Sequence, residues 1–400
     1  MHRHPIVIAC LILIASWLLI DAATVKAGDG DPLAIRTWPS GMVSLESLWG
    51  FHVVINPDGD ALKQLPRAPD QTVSTSETID HFLTRKPNAT KATWIPAAEF
   101  TEKDPHAIHI KTLPSKSVSA NPLLLEVDGT RLVFMPDGCL ASPADVPIND
   151  IKSADLLVLS TDNPWRLTDP RVIALMKSIA PRLVLLNQFG ASQLEIAEAF
   201  GKSIGAKEAV TLVDHNTLAV SQSRKPKYQT QVVVLDDSPW QMPDELATLF
   251  TKMEKSNMDS QKVFAKLSPQ QLNFRPGNGT HTPRWNTEHM MGRQLLFFSQ
   301  IYHAQNPAIP VMDLNPKQMP PDYVAAHPDW DGREEARQTQ RVSEFTRRFA
   351  YLLEGLNLDE KAPGSRWTPR RLLKQMEDHY KEHTANTVKK FDLPDWPKNE

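Results

Sequence analysis

Cysteine is nearly absent from this chain: 400 residues contain only Cys10 and Cys139. A disulfide-stapled fold is excluded, so stability must come from core burial. Glycine is also scarce, at 16 residues against 33 prolines, which argues for stiff connections and turn starts over flexible Gly/Ser linkers. Neither sign of charge dominates. With 44 basic and 47 acidic side chains the formal net charge is -3, so no chain-wide basic field attracts a phosphate backbone and nucleic acid is not an expected partner. A composition 41% hydrophobic and 23% charged is that of a folded chain, and the length suggests about two or three domains.

Long apolar runs are missing after the first. Ile6 to Ile20 follows His2, Arg3 and His4 and gives way to Asp21 and small residues. The run is short for a bilayer span and has the layout of a secretory signal. Val25-Lys26-Ala27 supplies acceptable residues for cleavage after Ala27, with Ala22 or Ala23 as alternative exits. The expected product is secreted or periplasmic, without stable membrane insertion after residues 1–27 leave. Cys139 would then be its only thiol, buried as a small apolar residue.

From Met42 to about Leu235, short apolar or alternating runs lie between turn residues, as in His52-Val53-Val54-Ile55, Leu123 to Val127, Leu156 to Leu159, Leu183 to Leu186 and Val232 to Leu235. These predict strands, and Asp128-Gly129 predicts a tight hairpin between two of them. Helical patterns fall between strands at Ile79 to Leu83, Arg171 to Ile179 and Ser192 to Ile204. Interspersed strands and helices give an α/β layered domain.

Beyond a boundary near Ser238 to Pro243, the period changes to that of helices. Leu246, Phe250, Met253, Phe264 and Leu267 fit an interrupted stripe. Met291, Leu295, Phe298 and Tyr302 fit a second, and Val342, Phe345, Phe349 and Leu352 a third. Leu372, Met376, His379, His383 and Thr387 make a fourth. Four amphipathic helices pack most economically as a four-helix bundle. The stretch from Asn306 to Asp331 carries six prolines and predicts a non-helical crossover.

His379 and His383 are four residues apart, so on a helix their side chains share one face and can converge on one ion. Their phase continues the inward stripe of Leu372 and Met376. His289, in Trp285-Asn286-Thr287-Glu288-His289, faces inward from the second helix. Glu288, Glu377 and Glu382 adjoin these histidines, as candidates to orient an imidazole or as solvated side chains. His303 is fourteen residues beyond His289, about 21 Å along a helix, and cannot join the same metal.

Leu267-Ser268-Pro269 through Phe274-Arg275-Pro276, the Trp285 to Arg293 helix and the closing His379-x-x-x-His383 helix resemble the DinB-like metalloenzyme superfamily over about residues 243–392. That resemblance implies a four-helix bundle holding a divalent metal, zinc or nickel, through His289, His379 and His383. It also implies an open coordination position that activates a thiolate.

Residues 36–237 resemble a second family, the metallo-β-lactamase fold, an αββα sandwich. Thr75-Ser76-Glu77-Thr78-Ile79-Asp80-His81 looks like its metal-binding loop, Met135-Pro136-Asp137-Gly138 like its bridging strand end, and Leu186-Asn187-Gln188-Phe189-Gly190 like its late histidine strand. Ser76, Thr78 and Gln188 stand where that family has histidines. Asp80, His81 and Asp137 remain, but hydroxyls do not replace imidazoles, so the domain is expected to have largely lost its metal site. His106, His109 and His215 have no ligand-like spacing.

The leading expectation is an exported two-domain protein, α/β followed by all-α, with a DinB-like metal site acting as a metal-dependent hydrolase or thiol transferase. A small molecule whose identity the residues do not name is its substrate, and a homodimer is compatible with it. The competing reading is a noncatalytic ligand- or protein-binding protein, with a degenerate lactamase-like domain and a structural bundle. Intact mass spectrometry of exported material should give the mass of a chain starting near residue 28. Recovery of the full-length mass, or of membrane-bound protein alone, would overturn the signal reading.

Overall fold

The computed structural model describes residues 32–398 apart from 48–49, 66–67, 79, 84–107, 116–120, 128–129, 207–209 and 221–229. The expected leader, His106 and the Asp128-Gly129 turn lie outside the described residues.

The α/β half begins with β1 (Leu33–Thr37), β2 (Val43–Glu46), β3 (His52–Ile55), the one-turn α1 (Gly59–Leu62) and β4 (Gln71–Val73). It continues through β5 (Asp80–Leu83), β6 (Ile108–Thr112), β7 (Leu123–Val127), β8 (Thr130–Met135), α2 (Asp137–Ala141) and α3 (Ile148–Ile151). Next come β9 (Leu156–Ser160), α4 (Pro170–Ile179), β10 (Leu183–Asn187) and α5 (Leu194–Ile204). The last strands are β11 (Thr211–Val213), β12 (Thr217–Val220) and β13 (Gln231–Leu235). The helical half holds α6 (Asp244–Phe264), α7 (Pro269–Leu272), α8 (Pro283–Gln305), α9 (Gly332–Arg348) and α10 (Pro369–Val388).

Two sheets stack face to face, one ordered β12-β1-β2-β3-β4 and the other β11-β13-β10-β9-β8-β7-β6-β5. Ile35, Val53, Leu125, Phe134, Val158 and Leu185 fill the space between them. β9 is buried at every position, as expected of a parallel strand covered on both faces. Its outer side and that of β10 pack on α4 and α5 through Leu157, Leu186, Val172, Leu175 and Phe200. Cys139 is fully buried in this layer, where loss of water and the nearby Asp137 push its thiol up to about 12.

The window from Ile79 to Leu83 departs from the sequence expectation: Asp80–Leu83 form no helix but strand β5, antiparallel to Ile108–Lys111. So short a window cannot separate a helical from a strand period, and pairing with β6 decides. The lactamase-like loop therefore leads into a strand. β1, β4 and β12, which alternation did not single out, complete the smaller sheet.

α6, α8, α9 and α10 form the four-helix bundle around Phe250, Met253, Leu295, Phe298, Phe345, Leu372 and Met376. The first stripe, interrupted in sequence, belongs from Leu246 to Phe264 to one continuous helix of 21 residues, with Leu267 just past its end. Buried polar side chains bridge its gap: Asn257 donates to the Thr339 carbonyl at 3.4 Å, Gln261 donates to Gln340 at 2.6 Å, and Ser260 meets Thr384 at 2.6 Å. Because each is hydrogen-bonded, their burial is tolerated.

The bundle covers the outer face of the smaller sheet. Ala34 of β1 and Ala219 of β12 share one apolar cluster with Leu246, Phe250 and Tyr351. Beside it Arg348 of α9 donates to Glu46 of β2 at 2.7 Å, with 2% and 7% of the two side chains exposed, and Arg36 bonds the same carboxylate at 3.2 Å. Breaking a buried pair leaves an uncompensated charge, so Glu46→Leu should lower stability by about 3–5 kcal/mol. The double variant Glu46→Leu, Arg348→Met should lose less in urea denaturation. Equal loss in both would show that the pair contributes nothing to docking of the two halves.

Candidate metal centre

α8 starts at Pro283 because Thr282 caps it, its hydroxyl accepting from the Trp285 N–H at 3.0 Å. α10 opens the same way, with Thr368 as cap and Pro369 in its first turn. From these two starts, helical phase brings His289 on α8 opposite His379 and His383 on α10. Ligand nitrogens of the three rings all lie within 4.8 Å of one another. Ring centroids are 4.8 Å apart for His289 and His379, 5.0 Å for His289 and His383, and 4.3 Å for His379 and His383. Around an ion with bonds of about 2.1 Å, tetrahedral donors sit roughly 3.4 Å apart, so the cluster is near ligand spacing.

Two asparagines set the ring orientations. His289 Nδ1 donates to Asn315 Oδ1 at 2.8 Å, and His383 Nδ1 donates to Asn286 Oδ1 at 2.9 Å. Each amide is aimed by its own nitrogen: Asn315 Nδ2 donates to the Pro316 carbonyl at 3.1 Å, and Asn286 Nδ2 to the Thr387 hydroxyl at 2.9 Å. An amide oxygen can only accept, so Nδ1 carries the proton and Nε2 keeps its lone pair for a metal. His379 Nε2 is buried with no hydrogen-bond partner. An orphaned ring nitrogen in a cluster with two other imidazoles is the kind of donor set that a divalent cation satisfies, and the residues fit one.

Asn315 reaches His289 only because α8 has a glycine three residues later. A Cβ on Gly292 would stand 2.5 Å from the Asn315 backbone. This puts the predicted proline-rich crossover directly over the site, where Gln318 also accepts from the Trp285 indole at 3.0 Å. Trp285 stacks on His289 at 4.4 Å between centroids and meets His281 at 3.8 Å with the rings tilted. His281, which the sequence did not single out, has a buried Nδ1 without a partner.

Burial is the main reason that the rings resist protonation. His289 and His383 are lowered to about 4, and His379 to about 3, with desolvation first and neighbouring positive groups second.

The adjacent carboxylates point elsewhere. Glu288 accepts from Tyr323 Oη at 2.7 Å and from the Ala326 N–H at 3.0 Å, and Glu377 pairs with Lys381. Glu382 is exposed. His303 bonds the Ile309 carbonyl at 2.6 Å, away from the cluster.

The positions singled out in the α/β half are engaged singly. Ser76 meets Ser74 at 2.7 Å, Gln188 accepts from Ser160 at 2.7 Å, and Asp137 pairs with Arg166 at 3.1 Å while accepting from Thr161. Thr78 is exposed, and the side chains of Asp80 and His81 lie outside the described residues. His109 faces Glu126 at 3.5 Å. Among the described residues a second group, Asp214, His215 and Glu354, also gathers within 4.8 Å. There His215 Nδ1 accepts from the Thr217 N–H at 3.2 Å, leaving the neutral ring's proton on Nε2, a donor to carboxylates and not a ligand.

Residues 252–386 match the DinB superfamily. The DinB match runs from within α6 to near the end of α10 and contains all three clustered histidines. In shape the chain is similar to a candidate zinc-dependent hydrolase of the metallo-beta-lactamase superfamily from Thermotoga maritima, at 14% identity, covering 51% of this chain and 99% of that one with a TM-score of 0.31. A candidate metal-dependent hydrolase from Parabacteroides distasonis matches at 10% identity over 52% of this chain and 99% of that one, with a TM-score of 0.26. No curated protein matches the chain. Among the described residues no helix is long and apolar enough to cross a membrane.

The depressed histidines set a pH dependence for the metal-free helical bundle. In the unfolded chain they titrate near 6.5, in the folded one near 3 to 4. The unfolded state therefore binds more protons through this window. Stability should be full above pH 6.5 and fall as pH drops towards 4. Denaturant midpoints across this range check it, and a His289→Gln, His379→Gln, His383→Gln variant should show a shallower fall. An unchanged slope in that variant would assign the effect to other groups.

Proposed function

We propose that the DinB region holds one divalent metal through His289, His379 and His383, and that the protein is a metal-dependent hydrolase or thiol transferase acting on a small molecule. The unpartnered Nε2 of His379, facing two rings whose Nδ1 protons are held by amides, carries this reading. Zinc or nickel suits an all-imidazole set, and three protein ligands leave a position for water or a substrate atom. The ion supplies Lewis acidity, lowering the pKa of a water or thiol that binds beside it.

The chain's own residues prepare that chemistry. Burial keeps the three rings unprotonated at neutral pH, Asn286 and Asn315 hold their tautomers, and Trp285 walls one side against water. Among the described residues no carboxylate faces the three rings to accept a proton, as a water-activating hydrolase would use. This favours a nucleophile that ionises readily, such as a thiol, over water. Export, proposed from the N-terminal run, places the protein away from abundant intracellular thiols and supports the hydrolase arm. The noncatalytic alternative predicts the same bundle without metal.

Elemental mass spectrometry of the purified protein should find about one divalent metal per chain, most of it lost in His379→Ala or His383→Ala. Glutamine replacements, which conserve volume, should lose it as well. Near-stoichiometric metal in the His379→Ala, His383→Ala double variant would overturn the site.

A further inference from the structure

The bundle rests on the smaller sheet through Ala34 and Ala219, and beside that contact an open cleft of about 840 Å³ runs between the two halves. Glu46 and Thr217 of the sheet form one side, Thr251 and Met258 of α6 another, and Tyr351, just past α9, a third. Trp38, which follows β1, and Trp240, in the link from β13 to α6, also line it. Small-molecule sites have this size and favour the junctions of domains. The cleft is separate from the metal centre, since none of His289, His379 and His383 lines it.

Charge in the cleft is largely neutralised from within. Arg36 and Arg348 share the Glu46 carboxylate, Arg347 grips Glu254 with bonds of 2.5 and 2.6 Å, and Lys255 pairs with Asp259 at 2.5 Å. Hydrogen-bonding capacity is not used up in this way. The indole Nε1 atoms of Trp38 and Trp240 are closed off from solvent and donate to nothing, and Trp38 as a whole is 4% exposed. A buried indole N–H ordinarily finds an acceptor, and one left without costs the folded state stability. Water in the cleft does not reach either nitrogen. The χ2 torsion of tryptophan is soft, however, so each ring can turn its N–H towards an acceptor bound beside it. Flat rings also pack well among two indoles, the Tyr351 ring and the adaptable thioether of Met258.

We propose that this cleft binds an uncharged, flat aromatic molecule carrying carbonyl or ether oxygens, held between the two halves by the indole N–H groups of Trp38 and Trp240. The site stands apart from the metal-centre reading and does not need it.

Fluorenone, a flat aromatic ketone, serves as the probe, and fluorene, the same rings without oxygen, as its control. In equilibrium dialysis the full-length protein should bind fluorenone saturably, about fivefold more tightly than fluorene, the effect of one neutral hydrogen bond. The Trp38→Phe, Trp240→Phe variant keeps both aromatic walls and removes both donors. It should lower fluorenone affinity to that of fluorene, while fluorene binding, which needs no donor, stays within about twofold and reports an intact cleft. Thr251→Trp, at an exposed position of α6 on the cleft wall, fills space without touching the core and should weaken both probes about tenfold. It keeps the site testable where the double variant fails to fold. No saturable binding of fluorenone to wild type, a preference for fluorenone that survives in the double variant, or binding of both probes unchanged by Thr251→Trp overturns the proposal.

Discussion

The buried ion pair between Arg284 and Glu335 anchors the start of α8, and the metal centre depends on it. Both side chains are fully buried. The guanidinium also donates to Asn273 at 2.6 Å and to the Trp330 carbonyl at 2.6 Å, while Thr287 donates to the carboxylate at 2.7 Å. One side chain thus ties the α7 end, the first turn of α8, the proline-rich crossover and the first turn of α9. Burial pushes the Glu335 carboxyl upward, against the pull of Arg284 and Thr287. Such a pair adds little net stability over an apolar contact, but loss of either partner leaves a bare charge in the core. Its worth here is placement: Trp285, Asn286 and His289 all follow within five residues of Arg284.

Much of the helical half was legible because its cues are local. Threonine or aspartate caps precede three of the four bundle helices, and apolar stripes at helical spacing mark all four. The same phase turned His379 and His383 inward. The amides that orient the rings were not legible. Asn315 lies 26 residues from His289, on a segment with no period to read, and its approach depends on the missing side chain of Gly292. Asn286 sits three residues before His289 yet serves the histidine of another helix. Sequence adjacency makes the glutamates beside the ligands candidates for an orienting role, but neighbours on a helix point in different directions.

In the α/β half the apolar strands were readable and the edges were not. Central strands such as β9 and β10 are uniform runs that only a covered strand would carry. β5 and β12 depend on partners remote in sequence, so no local window contains their reason for being strands. The seating of the bundle on the smaller sheet is likewise nonlocal. It runs through two alanines and the Glu46 carboxylate, and Arg348 is 302 residues from its partner.

Asn286 has a consequence for the bundle as a mechanical object. It touches α10 at two places one turn apart, accepting from His383 and donating to Thr387, both at 2.9 Å. A slip of α10 along α8 by one turn, about 5.4 Å, would break both bonds and separate the imidazoles together. Helix register and ligand convergence are therefore a single degree of freedom. An ion that draws the rings together would also lock the closing helix in place, and any loosening of its C-terminal turns would be felt at the metal.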